Sequence, residues 1–318
     1  MGYVNGTVVL EFILLGNSYL LRSPKLLFTL LLVIYIMSLM GNSLIIYLVQ
    51  MDSHLHTPMY FFLSNLSLLE ILFTSTTIPT MLAVSLGQGK RVSVPGCLTQ
   101  VFFLHFLGCT ECFLLVVMAY DRYIAICRPL HYTLAMTKIF CFELAAVSWA
   151  SGFLDALVLA ILTSKLPFCG PNEVSSFFCD VPPLLKLACT DTQANEAMLS
   201  VAGSLLVLIP FILILVSYFQ IISAILRISS SQARWKVFST CASHLTVVSL
   251  FYGTVIFTYV RSSSGYSKDQ DRLGSLVYTV LTPMLNPLIY SLRNHEVKEA
   301  IKKTVWGKIR TVPGLFRD

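Results

Sequence analysis

Residues 118–132 read MAYDRYIAICRPLHY, and the interpretation of the whole chain starts from them. The triplet Asp121-Arg122-Tyr123 ends a long apolar run, and Pro129 follows shortly after it. A charged pair where a membrane helix meets water is typical of a conformational switch rather than of a catalytic site. Three-residue matches arise by chance, so the triplet is informative only if the remaining chain builds a membrane bundle with Arg122 at one edge.

The composition indicates an integral membrane protein. Hydrophobic residues make up 56% of the 318-residue chain, charged residues only 12%, and the mean hydropathy is +0.76. Soluble domains carry about 25% charged residues, so roughly half of the charge expected on a soluble surface is missing. Lipid is therefore expected to be the solvent for much of the chain.

Seven apolar stretches are long enough to cross a bilayer, because a spanning helix needs about 20 residues. The second holds only the acid Glu70, the third holds only Glu111 before Asp121 at its end, and the fourth contains Glu143 and Asp155. No strand-like alternation is present. The sequence predicts an all-α, seven-transmembrane helix bundle. The spans are 26–50, 58–83, 97–121, 139–163, 197–226, 237–260 and 273–292.

Short segments flank the predicted bundle. Residues 1–25 lack a basic region ahead of an apolar core, and Glu11 interrupts their apolar stretch, so they do not resemble a signal peptide. Residues 295–309 alternate apolar and basic side chains with a helical period, which predicts an amphipathic helix on the inner leaflet. We expect an extracellular N-terminal segment, a transmembrane domain at 26–292, and this helix with a cytoplasmic tail at 293–318.

Three observations orient the chain in the membrane. The tail after the last span is rich in lysine and arginine, which favours the cytoplasm. Asn5 begins a glycosylation sequon, usable only on the luminal side. Four cysteines share the N-terminal side if the spans alternate, and oxidising conditions there allow two disulfides. These are Cys97, Cys169, Cys179 and Cys189. The prediction is a multi-pass plasma membrane protein with its N-terminus outside and its C-terminus in the cytoplasm.

Taken together, the motifs resemble those of rhodopsin-like G-protein-coupled receptors, and more narrowly those of olfactory receptors of the tetrapod-type class. The resemblance covers nearly the whole chain. Besides 118–132 it rests on PMYFFLSNLSLLE (58–70), KVFSTCASHLTVVSLFYGT (236–254) and PMLNPLIYSLRN (283–294). One residue departs from the pattern, because Glu70 stands where the family commonly has aspartate.

The resemblance implies a switch that couples to a G protein. Asp121 would hold Arg122 in a resting pair and release it when the fifth and sixth helices move. A proline inside the seventh span bends the helix and suits a hinge. The implied switch residues are Asp121, Arg122, Tyr123, Tyr218, Asn286, Pro287 and Tyr290. The residues by themselves also fit a plain interfacial salt bridge.

Glu70 and Glu111 fall near mid-membrane at a rise of about 1.5 Å per residue. Acids in lipid are costly and need partners. The resemblance favours a shared Na⁺, with Asn42 and Asn286 nearby. A protonated polar network without an ion is the alternative. No other cofactor is expected.

A ligand pocket is expected at the opposite end of the bundle from Arg122. A mostly apolar lining, with His105, Tyr259 and Thr279 as hydrogen-bonding groups, fits a small and mainly hydrophobic ligand. No acid lies on this part of the third span, which argues against a biogenic amine. Helix packing is the alternative role for each residue. The predicted lining is Leu104, His105, Gly108, Cys109, Gly203, Leu206, Tyr252, Val255, Ile256, Tyr259 and Thr279.

Four cysteines allow three pairings, and the sequence alone does not choose between them. The resemblance implies the pairs Cys97–Cys179 and Cys169–Cys189. These bonds would pin the long loop 164–196 over the pocket. The residues just after Cys179 are then either a lid or exposed loop.

The resemblance implies an odorant receptor that activates a stimulatory G protein and raises cAMP. The expected partners are a small volatile or hydrophobic ligand, that heterotrimeric G protein and membrane lipid, and no nucleic acid. An enzyme is not expected, since no zinc-spaced His/Cys set, phosphate-binding loop or Ser/His/Asp constellation is found. Two alternatives stay open: an ion- or proton-coupled small-molecule transporter, and a receptor for a non-odorant small ligand.

Overall fold

The computed structural model describes residues 9–16, 23–86, 90–169, 171–262, 279–290 and 295–310. Within these ranges, side chains are not described at 233, 236, 240, 256–262, 295 and 304–310. The helices are α1 (Pro24–Met51), α2 (Pro58–Ser85), α3 (Val94–Cys127), α4 (Lys138–Ser164), α5 (Gln193–Leu226), α6 (Ser231–Ser262), α7 (279–290) and α8 (His295–Arg310). Each described helix from α1 to α7 falls on a predicted span, and α8 falls on the predicted amphipathic stretch.

Five of the described helices, α1 to α5, are long and apolar enough to cross a membrane. Their outward faces carry large apolar side chains, such as Phe219, which is 74% exposed, and Ile139, which is 73% exposed. Patches of this extent are rare on soluble monomers. These faces are suited to contact with lipid.

Local sequence explains where the long helices begin. Proline occupies the first turn of α1, α2 and α3, where its missing N–H costs no helical hydrogen bond. Ser93 caps α3 by accepting a hydrogen bond from the Gly96 N–H, and Thr137 caps α4 by accepting one from the Phe140 N–H. The helix boundaries are therefore set by residues that lie just outside the apolar runs.

The third helix is the centre of the bundle and packs against α2, α4 and α5. Gly152 lets α4 approach closely, because a Cβ there would lie 2.6 Å from the carbonyl oxygen of Phe106 on α3. Gly41 serves α1 in the same way, since a Cβ would lie 3.0 Å from Cγ of Pro287 on α7. Both glycines allow the helix axes to approach at points where side chains would separate them.

A three-stranded sheet closes one end of the bundle, which the sequence analysis did not predict. Its strands are β1 (Glu11–Leu14), β2 (Lys90–Ser93) and β3 (Glu173–Val174), with β1 in the middle. β1 pairs antiparallel with β2 and parallel with β3. Phe12 and Leu14 are fully buried, so the described part of the N-terminal segment packs into this cap.

Two main hydrophobic clusters divide the bundle along its length. One includes Phe12, Val101 and Phe178 and surrounds the Cys97–Cys179 disulfide. We call this the disulfide end. The other includes Met118 and Tyr290 and extends toward Arg122. We call this the Arg122 end.

Candidate functional site

A cavity of about 280 Å³ lies at the disulfide end. It is bounded by α2, α3, α4, α5, α6 and α7 and by the loop around Cys179. Most of its lining is apolar, and a few polar groups converge on it, as is usual for small-molecule sites. The geometry therefore provides an enclosed volume at the depth expected for a ligand.

Eight of the eleven residues predicted for the ligand pocket line this cavity. They are Leu104, His105, Gly108, Cys109, Gly203, Leu206, Val255 and Thr279. Tyr252 is not among the lining residues. It is 1% exposed, and its ring packs 4.9 Å from Phe211 and 5.0 Å from Phe251. The side chains of Ile256 and Tyr259 lie outside the described residues.

The fourth helix supplies part of the wall, and the sequence analysis missed it. Val158, Leu159, Leu162 and Asp155 all line the cavity. The lone acid inside the apolar fourth span was the available signal, because an intramembrane acid usually faces the protein interior. No acid of the third span lines the cavity, as the sequence indicated, but Asp155 of α4 does.

A second acid reaches the cavity from the loop. Asp180 accepts a hydrogen bond of 2.8 Å from the Val181 N–H and caps the short helix Val181–Leu185. The same oxygen lies 3.5 Å from Nε2 of His105 on α3. The Cys179 N–H donates to Oε1 of Gln100, also on α3. These contacts hold the loop against α3 at the rim of the cavity.

Both disulfides implied by the resemblance are present. Cys97 is bonded to Cys179, with 5.4 Å between their Cα atoms, and Cys169 is bonded to Cys189, with 5.8 Å. The first joins α3 to the loop over the cavity, and the second closes a smaller ring within that loop. The predicted glycosylation site, Asn5, lies outside the described residues.

At the Arg122 end, Asp121 is held by a different partner from the one expected. Its Oδ1 accepts a 2.8 Å hydrogen bond from the hydroxyl of Tyr132. Among the described residues, Asp121 and Arg122 form no ion pair within 4.0 Å. The charge of Arg122 still acts electrostatically on Asp121, so the resting pair stays a prediction and Tyr132 is a partner in addition to it. Burial, together with the charge of Asp121, raises the pKa of Tyr132, which stays a hydrogen-bond donor.

Two of the other predicted switch residues, Tyr218 and Tyr290, lie near Arg122. Its guanidinium interacts electrostatically with Tyr218, His244 and Tyr290, which come from α5, α6 and α7. The hydroxyl of Tyr218 lies 2.8 Å from Nδ1 of His244, and the two rings are stacked. Sequence analysis missed His244, although it stands inside the quoted run 236–254. The ring of Tyr123 lies 6.4 Å from that of Tyr120, and Pro287 packs against Gly41.

The two mid-membrane acids lie between these ends. Glu70 and Glu111 are buried and interact electrostatically, and Asn286 Nδ2 donates to Glu70 Oε1. Within the described part of the chain, Glu70 Oε2, Glu111 Oε1 and Asn286 Oδ1 have no hydrogen-bond partner. Asn42 instead donates to the carbonyl oxygens of Ser38 and Pro283, so it ties α1 to α7. Three acceptor atoms without donors fit either a small cation or a shared proton.

The last helix, α8, is docked on the Arg122 end. The hydroxyl of Tyr60 on α2 donates a 2.5 Å hydrogen bond to Oε2 of Glu296. Lys303 Nζ lies 3.7 Å from Oδ2 of Asp52 in the turn between α1 and α2. Val297 is 2% exposed, so the apolar face of α8 packs onto the bundle.

Comparison with known proteins identifies the family. A family model described as olfactory receptor matches residues 31–308. Human olfactory receptor 6N1 is 52% identical over 299 residues, which cover 94% of this chain and 96% of that protein. Rat olfactory receptor 1f45 is 48% identical, covering 96% and 97%. Human olfactory receptor 2G3 is 49% identical, covering 97% and 100%. The chain therefore belongs to the olfactory receptor family of seven-helix, membrane-embedded G-protein-coupled odorant receptors, whose activity is signalling and not enzymatic.

Proposed function

We propose that a small, mainly hydrophobic odorant binds in the cavity at the disulfide end and that the Arg122 end then activates a stimulatory G protein, which raises cAMP. The observation that carries this proposal is the cavity itself, enclosed among helices and roofed by the loop that two disulfides hold. Its mostly apolar wall supports a mainly hydrophobic ligand.

The proposed orientation places the disulfide end and the N-terminus outside the cell, and the Arg122 end and α8 in the cytoplasm. Both disulfides lie at one end of the bundle, which supports an oxidising environment there. The sequon at Asn5 belongs to the same side if α1 crosses the membrane. Lys302 and Lys303 of α8 lie at the other end, in agreement with basic residues on the inner leaflet.

The sixth helix is proposed to carry the signal between the ends. Phe251 and Val255 line the cavity, and His244 of the same helix contacts Tyr218 beside Arg122. Val255 and His244 are separated by roughly 16 Å at about 1.5 Å per residue. A ligand that moves the cavity end of α6 therefore alters the Tyr218–His244 contact without a further intermediary.

We also propose that Glu70 and Glu111 share either a Na⁺ ion or a proton. Their unpartnered oxygens, together with Oδ1 of Asn286, support such an arrangement. Na⁺ would be held by these three oxygen atoms, which are hard ligands of the kind that alkali cations prefer. The ion would keep α2, α3 and α7 together in the resting state.

The experiment is a cAMP assay of the full chain coexpressed with a stimulatory G protein and tested with an odorant panel. A ligand-dependent rise in cAMP is expected, and Arg122→Ala should abolish it at equal surface expression. Lys138→Ala, at the exposed start of α4, is the matched control and should keep the response. An equal response in Arg122→Ala would contradict the proposed switch. A ligand-dependent ion flux in liposomes without G protein would favour the transporter alternative.

A further inference from the structure

We propose that the ligand of the cavity carries a protonated amine, with Asp155 as its counter-ion and the apolar wall around its hydrocarbon part. This inference rests on the proposed function of the cavity as the ligand site. It narrows the ligand from a mainly hydrophobic molecule to a small cationic one.

The cavity wall carries two acidic side chains, Asp155 and Asp180. Asp155 enters from α4 and Asp180 from the loop, and His105 stands close to Asp180. Among the described lining residues there is no lysine or arginine. The two carboxylates carry a formal charge of −2, and His105 is the single basic side chain among the described lining residues. Such a lining attracts a cation and disfavours a carboxylate ligand.

Asp155 and Asp180 differ in the hydrogen bonds that they accept from the protein. Asp180 caps a helix turn through the Val181 N–H and lies 3.5 Å from His105. Asp155 interacts electrostatically with His105 but accepts no hydrogen bond from any residue in the described ranges. A partly buried carboxylate without a donor costs free energy, and an ammonium group is the partner that offsets it most directly. Asp155 is thus the acid that is open to a ligand.

The remaining wall limits the ligand to a small amphipathic molecule. Val158, Leu159 and Leu206 offer apolar contacts around Asp155, and the volume of about 280 Å³ lies at the lower end for ligand sites. A monoamine with a short alkyl or aryl group fits both the charge and the volume. A polyamine does not fit, because most of its charges would face the apolar wall.

Cavity charge can be measured without knowing the ligand. Gly203 lines the cavity, and a Cβ there meets nothing within 4 Å, so Gly203→Cys introduces a reporter thiol without a clash. Membranes containing the full chain are treated with methanethiosulfonates of similar size that carry an ammonium, a neutral methyl or a sulfonate group. The parent gives the background from its own cavity thiols, Cys109 and Cys112.

The ammonium reagent should react about tenfold faster than the neutral one, in the range expected for one nearby charge. Asp155→Asn should remove most of this preference, and Asp155→Glu should keep it at similar surface expression. Hexylamine should slow the modification, whereas hexanol at the same concentration should not. Equal rates for the three reagents, or equal protection by hexanol, would overturn the amine assignment.

The outcome is separable from that of the proposed function. If neutral odorants raise cAMP while the thiol shows no cation preference, the amine assignment fails and the receptor role stands. If the cation preference and the amine protection are found but no compound raises cAMP, the binding chemistry stands and the proposed coupling fails.

Discussion

The disulfide end encloses a cavity of about 280 Å³, whereas the Arg122 end is filled by aliphatic and aromatic side chains around a buried polar cluster. The first is assembled from six helices and a loop that are far apart in sequence. The second is centred on one continuous run, 118–132, and on three contacts to it from α5, α6 and α7. On the proposed function, recognition and switching therefore depend on different kinds of structure in one bundle. The first depends on covalent pinning and open space, and the second on close packing.

The largest effect is expected from removing the Cys97–Cys179 disulfide. Cys179→Ser removes the bond to Cys97. This bond joins cysteines that lie 82 positions apart in the sequence, and it holds the loop over the cavity. Loss of a native disulfide costs about 2–5 kcal/mol, so little folded receptor should reach the cell surface. Surface labelling measures this. Cys127→Ser, a half-buried free thiol at the Arg122 end, is the control and should keep near-parental expression. Equal expression of the two variants would contradict the pinning role.

The next effect should follow from filling the cavity. Gly203→Trp places an indole in open space on the wall, so the concentration of odorant for half-maximal response should rise by about tenfold or more, or about 1.4 kcal/mol. Gly253→Trp is the matched control, because a Cβ there also meets nothing within 4 Å, and Gly253 does not line the cavity. A dose–response series for both variants tests this. A similar loss of potency in the control would show that the cavity is not the ligand site.

A smaller effect is expected from the packed end. Tyr218→Phe keeps the ring but removes the hydroxyl that contacts His244, at a cost of about 1 kcal/mol. Because this contact joins α5 to α6, the basal and maximal cAMP responses should change while the half-maximal concentration stays near the parental value. His244→Phe should behave in the same way. A shift of potency alone would place Tyr218 in ligand recognition instead.

The smallest effect is expected on the surface of the Arg122 end. The backbone N–H of His54 lowers the pKa of Asp52, and Lys303 of α8 lies nearby. A group whose pKa is lowered on folding stabilises the protein above its unfolded pKa, and that contribution is lost as the pH falls through the folded pKa. Asp52→Asn should therefore destabilise the purified receptor slightly at pH 7. The difference from the parent should begin to shrink near pH 3.8, the ordinary value for aspartate, and should disappear once the pH falls below the lowered pKa of the folded state. A thermal unfolding series across pH measures it, and a constant difference would contradict the assignment.

The helices and their ends follow closely from the sequence, because apolar length and flanking prolines are local properties. The cap strand β1 does not, since Glu11–Leu14 is too short to be distinguished from an irregular segment. Its partners, β2 and β3, are supplied by distant loops. Of the seven spans predicted from the sequence, the structure describes five at membrane length, α1 to α5. The two disulfide pairs were predicted through family resemblance.

The contacts that the site residues make were harder to predict than the identity of those residues. Eight of the predicted pocket residues line the cavity, and they lie on α3, α5, α6 and α7. Asp155 was missed because the rotation of α4 depends on its contact with α3 through Gly152, which is a tertiary property. The partner Tyr132 of Asp121 was missed because it lies eleven residues further along the chain, and its approach to Asp121 is a tertiary property.

The central claim is that ligand recognition and G-protein activation occupy opposite ends of the bundle. The most direct measurement is one dose–response experiment on Gly203→Trp, Arg122→Ala and the parent at matched surface expression. We expect Gly203→Trp to raise the odorant concentration for a half-maximal response and to keep the maximal cAMP response. We also expect Arg122→Ala to abolish the maximal response while an odorant still protects the purified receptor against heat. Loss of odorant protection in Arg122→Ala, or a normal maximal response from it, would contradict the separation of the two ends.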